Sequence, residues 1–253
     1  GVTLERRYGL STQTTARWCV DHLKAFGISI VFGIAAAEIV WSLIRWSPSY
    51  WWLFGAATFA VILIVLAQAA PVLLLPLFFR FTPLERPALV DRLVALAERA
   101  GARVMGVFEW RVSDRTRKAN AALTGIGATR RILLSDTLLA EHSDDEIEVI
   151  LAHELAHHVH HDIWSGLALE AGLILVGFYA SNVTLSVFEQ SFGLRGKGDI
   201  AAAPLLLLVA GGISLVLLPL FNAFSRAHER RADRYALEMT RNVPAFVSAM
   251  KRL

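Results

Sequence analysis

Cysteine is nearly absent from this chain of 253 residues, and charged side chains make up only 19% of it. The lone Cys19 excludes an internal disulfide, which suits a reducing compartment. The formal charge of +3 is not accompanied by a basic patch with interleaved aromatic residues or by a nucleic-acid-binding module, so we expect no nucleic-acid partner. The first residues are polar and charged, so no cleavable signal peptide is expected.

Hydrophobic residues account for 55% of the chain and the mean hydropathy is +0.49, which is more apolar than a soluble domain requires. The excess is concentrated in four blocks: Ala25–Ile44, Trp51–Phe79, Ile163–Phe188 and Ala201–Phe224. Each block reaches the roughly 20 residues that a helix needs to cross a bilayer. Buried helices of a soluble core would show more polar positions over such lengths. We therefore expect an integral, multi-pass membrane protein with four transmembrane helices, the second kinked or ended by Pro71 and Pro76.

Basic residues are distributed unevenly between the two sides of the expected membrane. Two hairpins of membrane helices would place residues 80–162, residues 225–253 and the N-terminal stretch on the same side. The two terminal stretches are rich in cations, namely Arg6, Arg7, Arg17, Lys24, Arg226, Arg230, Arg231, Arg234, Arg241, Lys251 and Arg252. The opposite side has only Arg45, Arg195 and Lys197. The positive-inside rule then predicts that the polar segments face the cytoplasm, at a bacterial inner membrane or at the endoplasmic reticulum of a eukaryote.

The pattern His-Glu-x-x-His occupies residues 153–157, within a predicted helix. Residues four apart lie on one helix face, so the imidazoles of His153 and His157 can bind the same ion. Glu154 can reach the position where a water would sit, which is the arrangement of a zinc peptidase with two ligands and a general base. The competing interpretation is a chance match on a helix surface, because short patterns also occur without a metal.

The polar region before this pattern predicts a small α+β domain. A helix over residues 82–100 is indicated by apolar residues at helical spacing, namely Leu89, Leu93, Leu96 and Ala97, between Pro87 and Gly101. Strands are expected over residues 104–112, 120–123 and 131–134, with a turn at Gly125-Ile126-Gly127. Ser143 and Glu146 form a capping box at the start of the helix that carries the histidines. A small sheet followed by such a helix is the zincin layout.

A catalytic zinc site needs a third protein ligand. His160 and His161 are one option, but a ligand from the same helix turn cannot close a tetrahedron with its neighbours. Glu229 is the better option, because it lies four residues before Asp233 on a predicted helix on the same side of the membrane. Asp233 can orient one histidine through its second ring nitrogen. The alternative is a solvated helix face on which these carboxylates pair with nearby arginines.

The combination of patterns resembles the integral-membrane gluzincins, which include the type I CAAX prenyl endopeptidase and the heat-shock membrane protease. The resemblance rests on the His153–His157 pattern, on Ser225-Arg226-x-x-Glu229-x-x-x-Asp233, and on segments typical of the CAAX branch. These segments are Leu4-Glu5-Arg6-Arg7-Tyr8-Gly9-Leu10-Ser11, Lys118-Ala119-Asn120-Ala121, Gly125-Ile126-Gly127 and Arg131-Ile132-Leu133-Leu134-Ser135-Asp136-Thr137-Leu138-Leu139. Full-length CAAX enzymes have more membrane spans and continue beyond the region that matches residues 243–253.

The resemblance implies a zinc metalloendopeptidase that holds one Zn²⁺ per chain and acts on a peptide or protein substrate, prenylated or embedded in the bilayer. It implies that His153, His157 and Glu229 bind the metal, with Glu154 and Asp233 as catalytic residues. It also implies that a strand carrying Asn120 and Ala121 borders the cleft and binds substrate backbone. His228, Arg226 and Tyr235 are all candidates to stabilise the oxyanion, and the sequence does not choose among them.

The expected fold class is therefore an α-helical membrane protein with a zincin-like α+β catalytic domain. Residues 1–79 would form the N-terminal segment and first hairpin, 80–162 the catalytic region, 163–224 the second hairpin, and 225–253 the helix that supplies the third ligand. Glu38 and Glu170 lie within predicted spans, where ionisable groups usually face water or a partner, and we expect them to line a polar cavity. Quality control of membrane proteins, a transporter and an inactive scaffold remain alternative functions.

Overall fold

The computed structural model describes residues 14–69, 81–113, 118–125 and 130–252. Within these ranges the helices are α1 (Thr15–Trp46), α2 (Trp51–Ala69), α3 (Pro87–Arg99), α4 (Asp136–Glu141), α5 (Asp144–Val159), α6 (Asp162–Phe188), α7 (Ala203–Thr240) and α8 (Val243–Arg252), with a 3₁₀ turn at Ile200–Ala202. The strands are β1 (Phe81–Pro83), β2 (Val107–Trp110), β3 (Ala121–Thr124) and β4 (Arg131–Ser135). The chain divides into two compact units, the first built from residues within Ala67–Ile163 and Ser225–Leu253, the second from Ala16–Leu66 and Trp164–Phe224.

Four helices of the described chain are long and apolar enough to cross a membrane, which confirms the predicted number. They are Trp18–Trp46, Trp51–Ala69, Asp162–Phe188 and Ile200–Thr240. The expected extension of the second span to Phe79, with the kink at Pro71 and Pro76, falls outside the described residues. The fourth apolar block and the polar residues that follow Phe224 lie on one helix, because α7 continues without a break to Thr240.

The second unit contains a cavity of about 1000 Å³ between its helices. Its walls are almost entirely aliphatic and aromatic, with residues such as Trp51, Phe59, Phe178 and Phe221. Neither Glu38 nor Glu170 lines it. This cavity is therefore not the polar cavity that we expected around these two carboxylates. Glu38 is instead exposed on the surface of α1, and Glu170 is half-buried on α6.

The first unit is organised around a mixed sheet in the order β1-β2-β4-β3. Strands β2 and β4 are parallel, while β1 and β3 pair antiparallel at the two edges. The helix α3 starts at Pro87 and buries the four apolar residues expected from its periodicity. These side chains form one core with β4, α5 and α8. The sheet and α3 thereby form the support on which α5 lies.

Two parts of the first unit differ from the sequence prediction. Residues 81–83 form β1, where a helix from residue 82 was expected, because Pro83 favours an extended conformation at Thr82 and Pro87 is suited to the first turn of a helix. The region 225–253 is two helices and not one. Arg241 adopts a positive φ of 51°, and the Asn242 side chain accepts a hydrogen bond from the Ala245 N–H at 3.1 Å, which caps α8.

The capping box at the start of α5 is present as predicted. The Ser143 hydroxyl accepts a hydrogen bond from the Glu146 N–H, and the Glu146 carboxylate accepts one from the Ser143 N–H at 2.7 Å. Glu146 is buried, and it is also close to α8, where Arg252 Nη1 lies 3.6 Å from its Oε2. A hydrogen bond from Ser248 is the main cause that lowers the pKa of Glu146, from 4.5 to about 2.

We predict that Glu146→Gln lowers the free energy of unfolding by on the order of 1–3 kcal/mol near neutral pH, since hydrogen bonds to a buried charged group are lost. The folded-state pKa lies below the unfolded value, so this contribution is present above pH 4.5 and is lost as pH falls toward 2. Thermal unfolding of the purified protein in detergent should show a gap between wild type and variant at neutral pH that narrows in acid. Glu141→Gln, which changes an exposed carboxylate, is the control; a gap that stays constant across pH would contradict the prediction.

Candidate metal centre

Helix α5 places His153 and His157 one turn apart on the same face. One face of the helix packs in the core, where Leu151 and Leu155 are fully buried together with residues of the sheet and α3. The opposite face carries the two imidazoles, whose Nε2 atoms lie 3.3 Å apart. Two ligands at about 2.0–2.1 Å from a tetrahedral zinc ion lie about 3.3–3.4 Å from each other. The spacing of the two nitrogens therefore suits a shared ion.

The third candidate ligand comes from α7. Glu229 Oε2 lies 3.2 Å from His153 Nε2, and Glu229 Oε1 lies 4.0 Å from His157 Nε2. One donor atom from each of the three residues falls within 4.8 Å of the other two. Two imidazole nitrogens and one carboxylate, with room for a further ligand, are the donor set of catalytic zinc sites. The structure thus brings together the three residues that the sequence suggested as ligands, and their chemistry fits zinc.

Both imidazoles are held by carboxylates through their second ring nitrogen. Asp233 Oδ1 lies 3.0 Å from His153 Nδ1, where the sequence suggested a contact with one of the two histidines. Asp162 Oδ2 lies 2.9 Å from His157 Nδ1, a contact that the sequence did not suggest. When Nδ1 carries the proton and donates it to a carboxylate, Nε2 keeps its lone pair for a metal ion. Each candidate histidine ligand therefore has an acidic partner that favours the metal-binding tautomer.

Asp162 is the site residue that sequence reasoning missed. It is the first residue of α6, only five positions after His157, and its side chain is 7% exposed. An acidic residue at the start of an apolar helix has an ordinary explanation in the helix dipole, so nothing in the pattern singled it out. The short separation from His157 was the available signal. It becomes informative only because the chain turns between α5 and α6, where His161 adopts a positive φ of 56°.

Glu154 is half-buried beside the two histidines. Burial raises the pKa of its carboxyl group, and the nearby Glu229 carboxylate raises it further, while His153 and His157 oppose this effect. A carboxylate with a raised pKa is a better proton acceptor near neutral pH than an exposed one. The position and environment of Glu154 thus suit a general base.

The remaining histidines lie outside the three-residue cluster. His160 Nδ1 is 2.8 Å from the Ala156 carbonyl oxygen, and its ring packs edge-on against Tyr235 with centroids 5.6 Å apart. His228 lies on α7 with Nδ1 3.8 Å from Asp162 Oδ1. Arg226 is exposed at the start of the polar part of α7. Of the three oxyanion candidates, His228 is thus the one that lies near the Asp162 carboxylate, whereas Tyr235 contacts His160.

The strand expected to bind substrate lies at an edge of the described sheet. β3 pairs with β4 alone, and it also packs against α5. The Asn120 N–H donates to Ser135 Oγ, and the Asn120 carbonyl accepts from the Ser135 N–H, both at 2.9 Å. The Asn120 side chain is exposed, whereas Ala121 is 5% exposed and its methyl group packs in the core. Any substrate contact of Ala121 must therefore involve its backbone.

Comparison with known proteins places these features in a family. The model of peptidase family M48 matches residues 83–253. The model of the CAAX prenyl protease N-terminal domain, described as having five membrane helices, matches residues 2–80, and two of the four candidate spans lie in that range. The two matches together cover nearly the whole chain.

Individual relatives agree with these matches. The uncharacterized metalloprotease YhfN of Bacillus subtilis is 36% identical over all of this chain and 60% of its own length. A CAAX prenyl protease 1 homolog of Dictyostelium discoideum is 27% identical over 93% of this chain and 57% of its own length. The crystal structure of S. mikatae Ste24p matches with a TM-score of 0.79 and 25% identity, over 93% of this chain and 59% of that one. The chain thus spans about 60% of the length of these relatives. By its sequence, its membrane helices and its fold, the chain belongs to peptidase family M48, in the branch that carries the CAAX prenyl protease N-terminal domain.

Proposed function

We propose that this protein is a zinc-dependent membrane endopeptidase of the CAAX prenyl protease type. The observation that carries the proposal is the convergence of His153, His157 and Glu229, with one donor atom of each within 4.8 Å of the others. Glu154 beside this cluster supplies the group that a peptidase needs and a purely structural metal site does not. Membership of family M48 agrees with both features.

In the proposed mechanism, His153, His157 and Glu229 would hold one zinc ion, which supplies Lewis-acid polarisation of the scissile carbonyl and makes water easier to deprotonate. Glu154 accepts the proton of the attacking water and delivers it to the nitrogen of the leaving amine. Asp233 keeps the ring of His153 in place through the 3.0 Å contact at Nδ1. We propose His228 as the donor to the developing oxyanion, because it is half-buried and its Nδ1 lies 3.8 Å from Asp162, the carboxylate that contacts His157.

Among the described strands, β3 pairs only with β4, and its other edge suits an extended substrate. In an antiparallel pair, residues whose N–H and C=O groups face the partner strand alternate with residues whose groups face away. Asn120 faces β4 through its two hydrogen bonds with Ser135, so the N–H and C=O groups of Ala121 and Leu123 face the open edge. A substrate strand can add there by backbone pairing. We therefore propose that Ala121 binds substrate through its backbone, and that the exposed Asn120 side chain lies beside the bound peptide.

Two substrate classes are consistent with a membrane peptidase of this family: prenylated C-terminal peptides and membrane proteins undergoing quality control. The match of residues 2–80 to the CAAX prenyl protease N-terminal domain favours the first class. The excess of arginine in the polar part of α7 favours a cytoplasmic site, where a prenylated C terminus would be presented.

We predict that the purified protein binds one zinc ion and that His153→Ala or Glu229→Gln removes it, because each substitution deletes one of three donors. Metal content after equilibration with zinc and removal of the excess is the measurement. His160→Ala is the matched control, since this histidine is on the same helix end but contacts Ala156 and Tyr235. If His160→Ala lost zinc while His153→Ala and Glu229→Gln kept it, the assignment of the ligands would be contradicted.

We predict that Glu154→Gln lowers the cleavage rate by about 10²- to 10⁴-fold with zinc still bound, since the amide cannot accept the proton. Paired C-terminal peptides, farnesylated and unmodified, should be tested with the variant as the blank and with the exposed Glu141→Gln as the control. Faster cleavage of the farnesylated peptide would support the CAAX assignment. Equal cleavage of both would favour the quality-control alternative, and cleavage that survives Glu154→Gln would exclude this base.

We predict that backbone pairing with β3 gives the substrate a two-residue periodicity. N-methylation of a peptide amide that faces the strand should lower kcat/KM by about two- to tenfold, since one hydrogen bond is lost. Methylation of the next amide along should have little effect, because that group points away from the strand. A scan of single N-methyl substitutions through a cleaved peptide makes the test without altering the enzyme. Equal sensitivity at neighbouring positions would argue against strand addition.

A further inference from the structure

Asp162 connects three groups around the candidate metal centre. Its Oδ2 is 2.9 Å from His157 Nδ1, and its Oδ1 makes an ion pair with the Arg231 guanidinium. The His228 ring lies on the same side, with Nδ1 3.8 Å from Oδ1. Each oxygen of this buried carboxylate therefore has its own cationic or hydrogen-bonding partner. A buried carboxylate is costly unless it is paired in this way, and the pairing fixes its orientation.

Two faces of helix α7 are connected to the two histidines of α5, one directly to His153 and the other through Asp162 to His157. Glu229 and Asp233, four residues apart, both reach His153. His228 and Arg231, three residues apart, both approach Asp162, which in turn contacts His157. Residues three and four apart lie together on a helix surface, so each pair acts from one face. Fewer than two turns of α7 thus supply a candidate ligand, the carboxylate that contacts His153, and the groups that approach Asp162.

We propose that Asp162 is the positioning residue of His157, and that Arg231 holds Asp162 in place for this role. The proposal rests on the metal site proposed above. A carboxylate on Nδ1 favours the tautomer that leaves Nε2 available and raises its affinity for a metal ion. Asp162 does for His157 what Asp233 does for His153. Arg231 does not touch the imidazole, so it acts through Asp162.

A purely structural role for Asp162 makes a different prediction. As the first residue of α6, it would stabilise the helix N terminus through the helix dipole, whether or not metal is present. Asp162→Asn would then change the melting temperature of the metal-free protein and leave zinc affinity as it is. Zinc affinity is therefore the property that separates the two roles.

The experiment is a competition between a fluorescent zinc chelator and the full chain in detergent. Wild type is compared with Asp162→Asn, Arg231→Gln, the double variant, and Arg230→Gln as control. The control removes the same charge from the neighbouring, exposed position of α7. We expect Asp162→Asn to weaken zinc binding by about 10- to 100-fold, as is typical when an orienting carboxylate is lost. Arg231→Gln should weaken it by up to about fivefold, since its partner is buried but the guanidinium is half-exposed.

The double variant tests whether Arg231 acts through Asp162. We expect it to bind zinc as weakly as Asp162→Asn alone, with no additional loss. Unchanged affinity in Asp162→Asn would overturn the proposal, and an equal loss in Arg231→Gln and Arg230→Gln would overturn the role of Arg231. If Asp162→Asn fails to fold, the comparison of Arg231→Gln with Arg230→Gln decides. Absence of zinc binding in wild type would instead show that the metal site itself is wrong.

Discussion

The candidate centre depends on the contact between α5 and the polar part of α7. Neither helix carries a complete site, since α5 offers the two histidines and Glu154, and α7 offers Glu229 and Asp233. The helices meet through imidazole–carboxylate contacts of 3.0–3.2 Å at His153. Imidazole–carboxylate pairs of this kind bring ligand and orienting group to one ion only when both helices are held in register.

That register is maintained by packing on the other side of α5. Its Leu151 and Leu155 are buried against the sheet and α3, and Ala236 of α7 and Ala249 of α8 belong to the same core. Small residues at these two positions let the helices approach closely. The buried Glu146 adds a polar connection to α8 through Ser248 and Arg252. The polar, half-buried face of α5 can carry the candidate centre because its opposite face is fixed by the core.

Features encoded by local spacing could be predicted from the sequence. The apolar blocks and the capping box of Ser143 and Glu146 follow from helix periodicity or from short patterns. The spacing of Glu229 and Asp233 predicted an orienting carboxylate for one histidine, without saying which. Features that depend on how two separate elements meet could not be predicted. Asp162 reaches His157 only because the chain turns at His161, and β1 forms only because β2 offers its edge to residues 81–83. When two residues five apart lie on different helices, their relative position depends on the turn between the helices.

The helices that orient the histidines are also the helices that form membrane spans. Asp162 is the first residue of the candidate span Asp162–Phe188, and Glu229, Arg231 and Asp233 belong to the span-forming helix Ile200–Thr240. Each of these side chains therefore lies on the same continuous helix as an apolar segment. A soluble fragment limited to α5 and the sheet would keep His153, Glu154 and His157 but lose every carboxylate that positions them.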